Sequence, residues 1–480
     1  MANLKSLAKE TAIYGLSSIV GRFLNYLLVP LYTVKIAASS GGYGVVTNIY
    51  AYTALLLVIL TFGMETTFFR FANKEGENPK TVFTNALLVV GSLSVLLMAA
   101  VMVFLPQICS GLGYDDHPEW VWMMALTVSI DAVQAIFYSL LRFQKKALKF
   151  AILKLTFIAL NIGANLVYFL FIGHDVTYVF SLNLACTAVM TLFFIPEMLH
   201  NHWKTDKAQL RRMFSYSWPI LVLGIAGILN QTVDKIIFPL IYPDAEQAQV
   251  QLGIYGACVK IAMIMAMITQ AFRYAYEPYV FAKSKDKDSK ETYAQAMKYF
   301  IIFTLLAFLV VMGYMDILKH IIGAGYRDGL RVVPIVMAAE IMMGIYFNLS
   351  FWYKLIDKTI WGAWFSLAGC TALILVNVLL IPSIGYMACA WGGVAGYGVA
   401  MLLSYFVGQK KMPINYPLLQ IGKYVLIAAV LYTAMALLPD SFPAILRIGI
   451  NTLLIAIFVA YIIKADMPLH SLPVIGKYFK

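Results

Sequence analysis

Six ionisable side chains fall inside long apolar stretches of this chain: Arg22, Asp131, Asp234, Lys235, Lys260 and Glu340. A charge at mid-bilayer costs about 2.5 to 3.5 kcal/mol on insertion scales, so each needs an opposite charge, a water-filled cavity or a function to keep it there. An arginine fork holds phosphate oxygens in two parallel hydrogen bonds, whereas lysine acts more as a point charge. Arg22 is therefore the candidate for phosphate recognition, and Asn25, three residues on, shares its helix face. Lys235 and Lys260 add positive charge, so a cavity holding all three cations suits an anionic headgroup. Asn230 with Asp234, and Gln231 with Lys235, make two i,i+4 pairs on neighbouring faces of one helix. Asp131 and Glu340 are candidate proton or sodium sites, or counter-ions to Arg22 and Lys260. The competing account for the whole group is structural ion pairing between helices.

The elements that position these groups follow from composition. Of 480 residues, 61% are hydrophobic and 12% charged, with a mean hydropathy of +0.78, against roughly 25% charged in soluble domains. The chain reads as an all-α polytopic membrane protein. Apolar stretches of about 20 residues, the length that crosses a hydrocarbon core of about 30 Å, predict helices over 11–35, 43–64, 81–105, 119–142, 148–172, 176–199, 214–241, 251–273, 295–318, 332–356, 360–381, 384–407, 420–438 and 444–463. That makes about 14 transmembrane helices.

The pattern repeats. Tyr43-Gly44 recurs as Tyr255-Gly256, Gly111-Leu-Gly-Tyr-Asp-Asp116 as Gly323-Ala-Gly-Tyr-Arg-Asp328, and Asn165 with Ile172-Gly173 as Asn377 with Ile384-Gly385, all at an offset of 212 residues. By the same offset Asn48 and Lys260 occupy equivalent positions, and polar side chains in matching places favour a shared central cavity, with Arg22, Asn25, Asn48, Asp234, Lys235 and Lys260 as the expected substrate-binding residues. Six helices per copy return the chain to its starting side, so the repeats are parallel. The expected division is an N-terminal lobe over 1–205, a C-terminal lobe over 206–411 and an added helix pair over 412–480, with the polar stretch His200 to Arg212 as the interlobe linker. Duplicated bundles of this kind place a substrate site between lobes near the membrane midplane, which points to transport.

Basic residues crowd one set of connecting segments, among them Lys80, Lys145, Lys146, Lys204, Arg211 and Arg212, while the opposite segments hold only Lys35, Lys319, Arg327, Arg331 and Arg447. Basic segments stay cytoplasmic, which puts both termini inside. The net charge of +12 is then topological, with anionic lipid headgroups as its partner and no role for nucleic acid. The first apolar segment lacks the short core and cleavage site of a secretory signal and is expected to stay as an anchor. Trp120, Trp122, Tyr168, Trp361 and Trp364 lie near helix ends, where amphipathic rings favour the membrane interface.

Catalytic and metal chemistry finds little support. The five cysteines show no CxxC spacing. No phosphate-binding loop, dinucleotide fingerprint, GxSxG turn or zinc-binding histidine cluster is present. No metal site and no cofactor are expected, and the protein reads as a non-enzyme.

Fourteen predicted helices in two parallel lobes, an arginine-bearing first helix in Tyr14-Gly-Leu-Ser-Ser-Ile-Val-Gly-Arg-Phe-Leu-Asn-Tyr-Leu-Leu-Val-Pro-Leu-Tyr32, and Tyr43-Gly44 opening the second helix resemble the bacterial polysaccharide-biosynthesis flippases. These belong to the multidrug, oligosaccharidyl-lipid and polysaccharide exporter superfamily. The resemblance spans nearly the whole chain. It implies a V-shaped transporter that alternates between inward-open and outward-open states. Its implied substrate is an undecaprenyl-diphosphate-linked oligosaccharide, moved from the cytoplasmic to the periplasmic leaflet of the inner membrane for O-antigen-type polysaccharide. It also implies that Arg22 engages the diphosphate in a cationic cavity, and that the last two helices offer the lipid tail a groove. A polysaccharide polymerase or export machinery would be its partner in the bilayer. The rival readings are a lipid II flippase for peptidoglycan and a cation-coupled multidrug antiporter of the same superfamily.

Overall fold

A computed structural model describes residue 26 and residues 28–201, 203–282, 289–356, 358–439 and 441–466. Among them every regular element is helical. The main helices are α1 Leu28–Lys35, α2 Gly42–Thr61, α3 Pro79–Val103, α4 Pro118–Phe143, α5 Ala147–Val167, α6 Thr177–Leu192, α7 Lys207–Ile241, α8 Ala245–Ala282, α9 Ser289–Gly313, α10 Val333–Leu349, α11 Ile360–Ile384, α12 Met387–Lys411, α13 Leu418–Ala436 and α14 Ala444–Ala465. Twelve of the described helices are long and apolar enough to cross a membrane. Helix α6 is apolar but shorter, and α1 is the described end of the first predicted helix. The chain is a multi-pass membrane protein of the expected all-α class.

Most boundaries fall within a few residues of the apolar stretches. Helices α7 and α8 differ, running 35 and 38 residues. Their starts are set by caps rather than by hydropathy. Asp206 Oδ1 accepts from the backbone N–H groups of Ala208 and Gln209, and Asp244 Oδ1 from those of Glu246 and Gln247. Such caps satisfy donors that a helix start leaves open, so the helix begins outside the apolar run. From Lys207 onward, the polar stretch His200 to Arg212 is helix and not loop. Asn78 caps α3 in the same way, with Pro79 at its first position.

Two compact units emerge from the contacts: one comprises 1–257 with 374–389, the other 258–373 with 390–480. In lipid, helices associate through close backbone approach and polar contacts rather than through a hydrophobic driving force. The first unit uses the repeated Tyr-Gly motif for this. A Cβ on Gly44 would strike the Gln249 carbonyl, one on Gly253 would sit 2.9 Å from the Gly44 nitrogen, and one on Gly256 would strike the Thr47 side chain. Thus α2 and α8 cross at backbone contact.

Asn165, fully buried on α5, accepts from the Tyr32 hydroxyl at 2.8 Å and tethers the end of α1. Trp120 and Tyr168 also pack inward, only 8% and 7% exposed. The Trp120 ring stacks on His117 and its N–H donates to Thr177. These two are core residues, whereas Trp364 is 60% exposed.

In the second unit, α11 and α12 meet at Gly369 and Gly396, where an added Cβ would press on the facing backbone carbonyl. Helices α13 and α14 are held to α9 by polar clamps. Lys298 Nζ pairs with Asp466 at 2.6 Å, and the Tyr424 hydroxyl donates to the same carboxylate at 2.6 Å. Near the opposite end of α9, the Asn451 amide donates to the Gly313 carbonyl at 2.9 Å, and Arg447 pairs with Asp316 at 3.1 Å.

Candidate functional site

Helix α7 carries a polar node in the first unit. Lys235 Nζ lies 3.0 Å from both carboxylate oxygens of Asp234, its neighbour in sequence, and donates to the Gln231 backbone carbonyl at 2.9 Å. The Tyr255 hydroxyl on α8 donates to Asp234 Oδ2 at 2.8 Å. Asp234 is buried, while the Lys235 side chain keeps 19% of its surface exposed. Adjacent residues on a helix do not ordinarily face each other. Here the long lysine stem curls back, so the expected Gln231–Lys235 pair is made to the main chain and not to the glutamine amide.

Asn48 joins this node from α2. Its amide donates to the Lys235 backbone carbonyl at 2.7 Å, and its Oδ1 accepts from the Tyr114 hydroxyl at 2.8 Å. Tyr114 in turn accepts from Gln249 at 3.2 Å. Burial pushes the Tyr114 phenol well above its ordinary value, so it stays a neutral donor. The structure therefore uses both ends of the Asn48 amide to clamp α2 to α7 and to the loop before α4.

A second polar cluster lies within the first unit. Asp131 on α4 accepts from Thr187 at 3.2 Å and interacts electrostatically with Lys154 on α5. Lys154 Nζ stands 4.0 Å from the centre of the Tyr138 ring. Tyr50 accepts from Asn183 at 3.0 Å, and Gln134 donates to the Thr187 carbonyl and the Thr191 hydroxyl. Among the described residues the cation beside Asp131 is thus Lys154. Lys260 and Glu340 belong to the second unit and are half-buried there. Arg22 and Asn25 lie outside the described residues.

Sequence reasoning passed over Lys154 and Lys298, although both lie in apolar helices. Each falls within two turns of a predicted helix start, where a lysine stem can reach the interface. What set them apart was an acidic partner far away in sequence. Tyr114 and Tyr255 carried a signal of their own: both belong to the repeated motifs.

The helical bundle has the fold of the flippases and exporters of the multidrug, oligosaccharidyl-lipid and polysaccharide superfamily. An inward-closed structure of the lipid II flippase MurJ matches with a TM-score of 0.74 at 14% identity, covering 94% of this chain and 98% of that one. An inward-facing multidrug resistance transporter of the MATE family matches with a TM-score of 0.66 at 12% identity, covering 81% and 93%. At such identities the likeness is one of fold. No curated protein matches by sequence. The chain belongs to the polysaccharide biosynthesis protein family, whose model matches residues 7–282, more than half of its length.

Proposed function

We propose that this protein is a transporter that moves an undecaprenyl-diphosphate-linked oligosaccharide from the cytoplasmic to the periplasmic leaflet of the bacterial inner membrane by alternating access, supplying surface polysaccharide of the O-antigen type. The observation that carries this reading is membership of the polysaccharide biosynthesis family on a fold shared with a lipid II flippase. Both termini are cytoplasmic, and a polymerase or export complex takes up the product.

In this reading Arg22, Lys235 and Lys260 receive the diphosphate, with Asn25 as a neighbouring hydrogen-bonding group. The geometry of Lys235 supports its part. Its carboxylate partner is the adjacent residue, so exchanging that partner for a phosphate oxygen breaks no link between helices. Asp234 then keeps the Tyr255 hydroxyl. Asn48 acts as a positioning residue that fixes the α7 backbone beneath Lys235. An outward-moving diphosphate gains about 2.3 kcal/mol per elementary charge per 100 mV in an inside-negative cell. Proton or sodium coupling at Asp131 or Glu340 would add to that drive.

The test is deletion of the gene followed by identification of the lipid-linked sugars that accumulate on the cytoplasmic leaflet. Accumulation of a polysaccharide repeat unit is the expected result. Accumulated lipid II would reassign the protein to peptidoglycan, the second reading, which the near-complete coverage of the MurJ fold favours. Loss of organic-cation efflux would make it a drug exporter. Arg22→Ala is expected to abolish transport with insertion intact, and full complementation by that variant would remove Arg22 from the diphosphate site.

A further inference from the structure

A cleft of about 760 Å³ opens in the first unit between the start of α3, the end of α4 and the short helix Ile195–Leu199. It lies apart from the α7 node and has a mixed chemistry. Lys80, Lys146 and His200 line it together with Glu197, over a floor that includes Phe83 and Phe143. Among the described residues no carboxylate engages the Lys80 or Lys146 ammonium. Glu197 pairs through Oε1 with Lys149 at 2.5 Å, and its side chain is only 9% exposed. Its other oxygen, Oε2, is buried with no hydrogen-bond partner among the described residues. A buried carboxylate oxygen left unmatched costs about 1 to 3 kcal/mol, which a bound donor would recover.

A simple anion would suit the lysines but be repelled by Glu197, and a simple cation would meet the reverse. A headgroup that carries both a phosphate and an ammonium matches both. The cleft is bordered by apolar side chains turned outward: Ile195, Leu199 and Trp203 are 43%, 77% and 52% exposed. Such residues bury into the interface of a bilayer. We propose that this cleft binds the headgroup of an aminophospholipid of the phosphatidylethanolamine type, with its phosphate on Lys80 and Lys146 and its ammonium on Glu197 Oε2. The site is separate from the transported substrate and serves to seat the first lobe in the leaflet on its basic side.

Native mass spectrometry of the purified full-length protein, titrated with phosphatidylethanolamine or phosphatidylglycerol, tests this directly. Phosphatidylethanolamine should be retained in preference, and Glu197→Gln should erase the preference by weakening its binding about tenfold, as loss of one charge-assisted hydrogen bond implies. Lys149→Met breaks the same ion pair but leaves the carboxylate, so the preference should survive. Lys80→Met combined with Lys146→Met should weaken both lipids. Equal retention of the two lipids, an unchanged preference in Glu197→Gln, or its loss in Lys149→Met would overturn the assignment. Competition by soluble phosphoethanolamine at matched concentration would overturn the lipid as its source.

Discussion

Two lysine–aspartate pairs in this molecule, each with one buried and one half-buried partner, look alike chemically and differ in what they connect. Lys298 and Asp466 stand 168 residues apart and join α9 to the end of α14, with Tyr424 of α13 on the same carboxylate. Lys235 and Asp234 are neighbours on one helix, and what ties them to another helix is the Tyr255 hydroxyl of α8 on Asp234. Taking charges out of water is expensive in either place. The long-range pair offsets that cost by holding the added helix pair in position. The neighbouring ion pair does not itself bridge two helices, so exchanging the Lys235 partner would leave the Tyr255–Asp234 contact between α7 and α8 in place.

The largest effect should come from breaking the long-range pair. Lys298→Met leaves Asp466 without its cation and is expected to lower stability by about 3 kcal/mol, read as an earlier unfolding transition in detergent. The charge reversal Lys298→Asp with Asp466→Lys should recover part of it. At the neighbouring pair, the neutral double variant Asp234→Asn with Lys235→Gln keeps shape and the Tyr255 contact. Transport should fall about tenfold, the worth of a charge-assisted hydrogen bond to phosphate, while the unfolding transition barely moves. If stability falls there as it does at Lys298, the two pairs do the same work and the contrast fails.

Asn48→Ala sharpens the comparison at its boundary. It removes the bonds to the Lys235 carbonyl and the Tyr114 hydroxyl, and a loss of about 1 to 2 kcal/mol in stability should accompany a smaller loss of transport. The smallest effect is that of acid. Burial pushes the Asp466 carboxyl up, but the hydrogen bonds from Lys298 and Tyr424 and the Lys298 charge outweigh it and hold the group below the usual carboxylate range. Its contribution is therefore complete above the unfolded value of about 3.9 and is lost as pH falls through the lower folded value. Unfolding followed from pH 6 downward should show that loss in the wild type and not in Lys298→Met.

Much of this was legible in the residues themselves. Hydropathy located nearly every helix, because an apolar stretch that must satisfy its own backbone in lipid has little choice but to coil. The 212-residue offset identified Tyr43 and Tyr255 as counterparts, and both are buried. The starts of α7 and α8 were hidden because Asp206 and Asp244 cap helices outside the apolar run. The role of Asn48 was hidden as well. Its partner Tyr114 belongs to a repeated loop motif, but nothing along the chain says that the loop reaches back to α2.

Composition, periodicity and repetition thus determined by themselves the membrane class and most of the helices, since each depends on residues near one another in sequence. The partners of the buried polar groups, and the roles of Lys154 and Lys298, were decided only in three dimensions. Asp131 with Lys154, Lys298 with Asp466 and Asn48 with the Lys235 carbonyl each depend on how helices far apart in the chain pack, and the direction and reach of a side chain across a helix boundary follow from that packing alone.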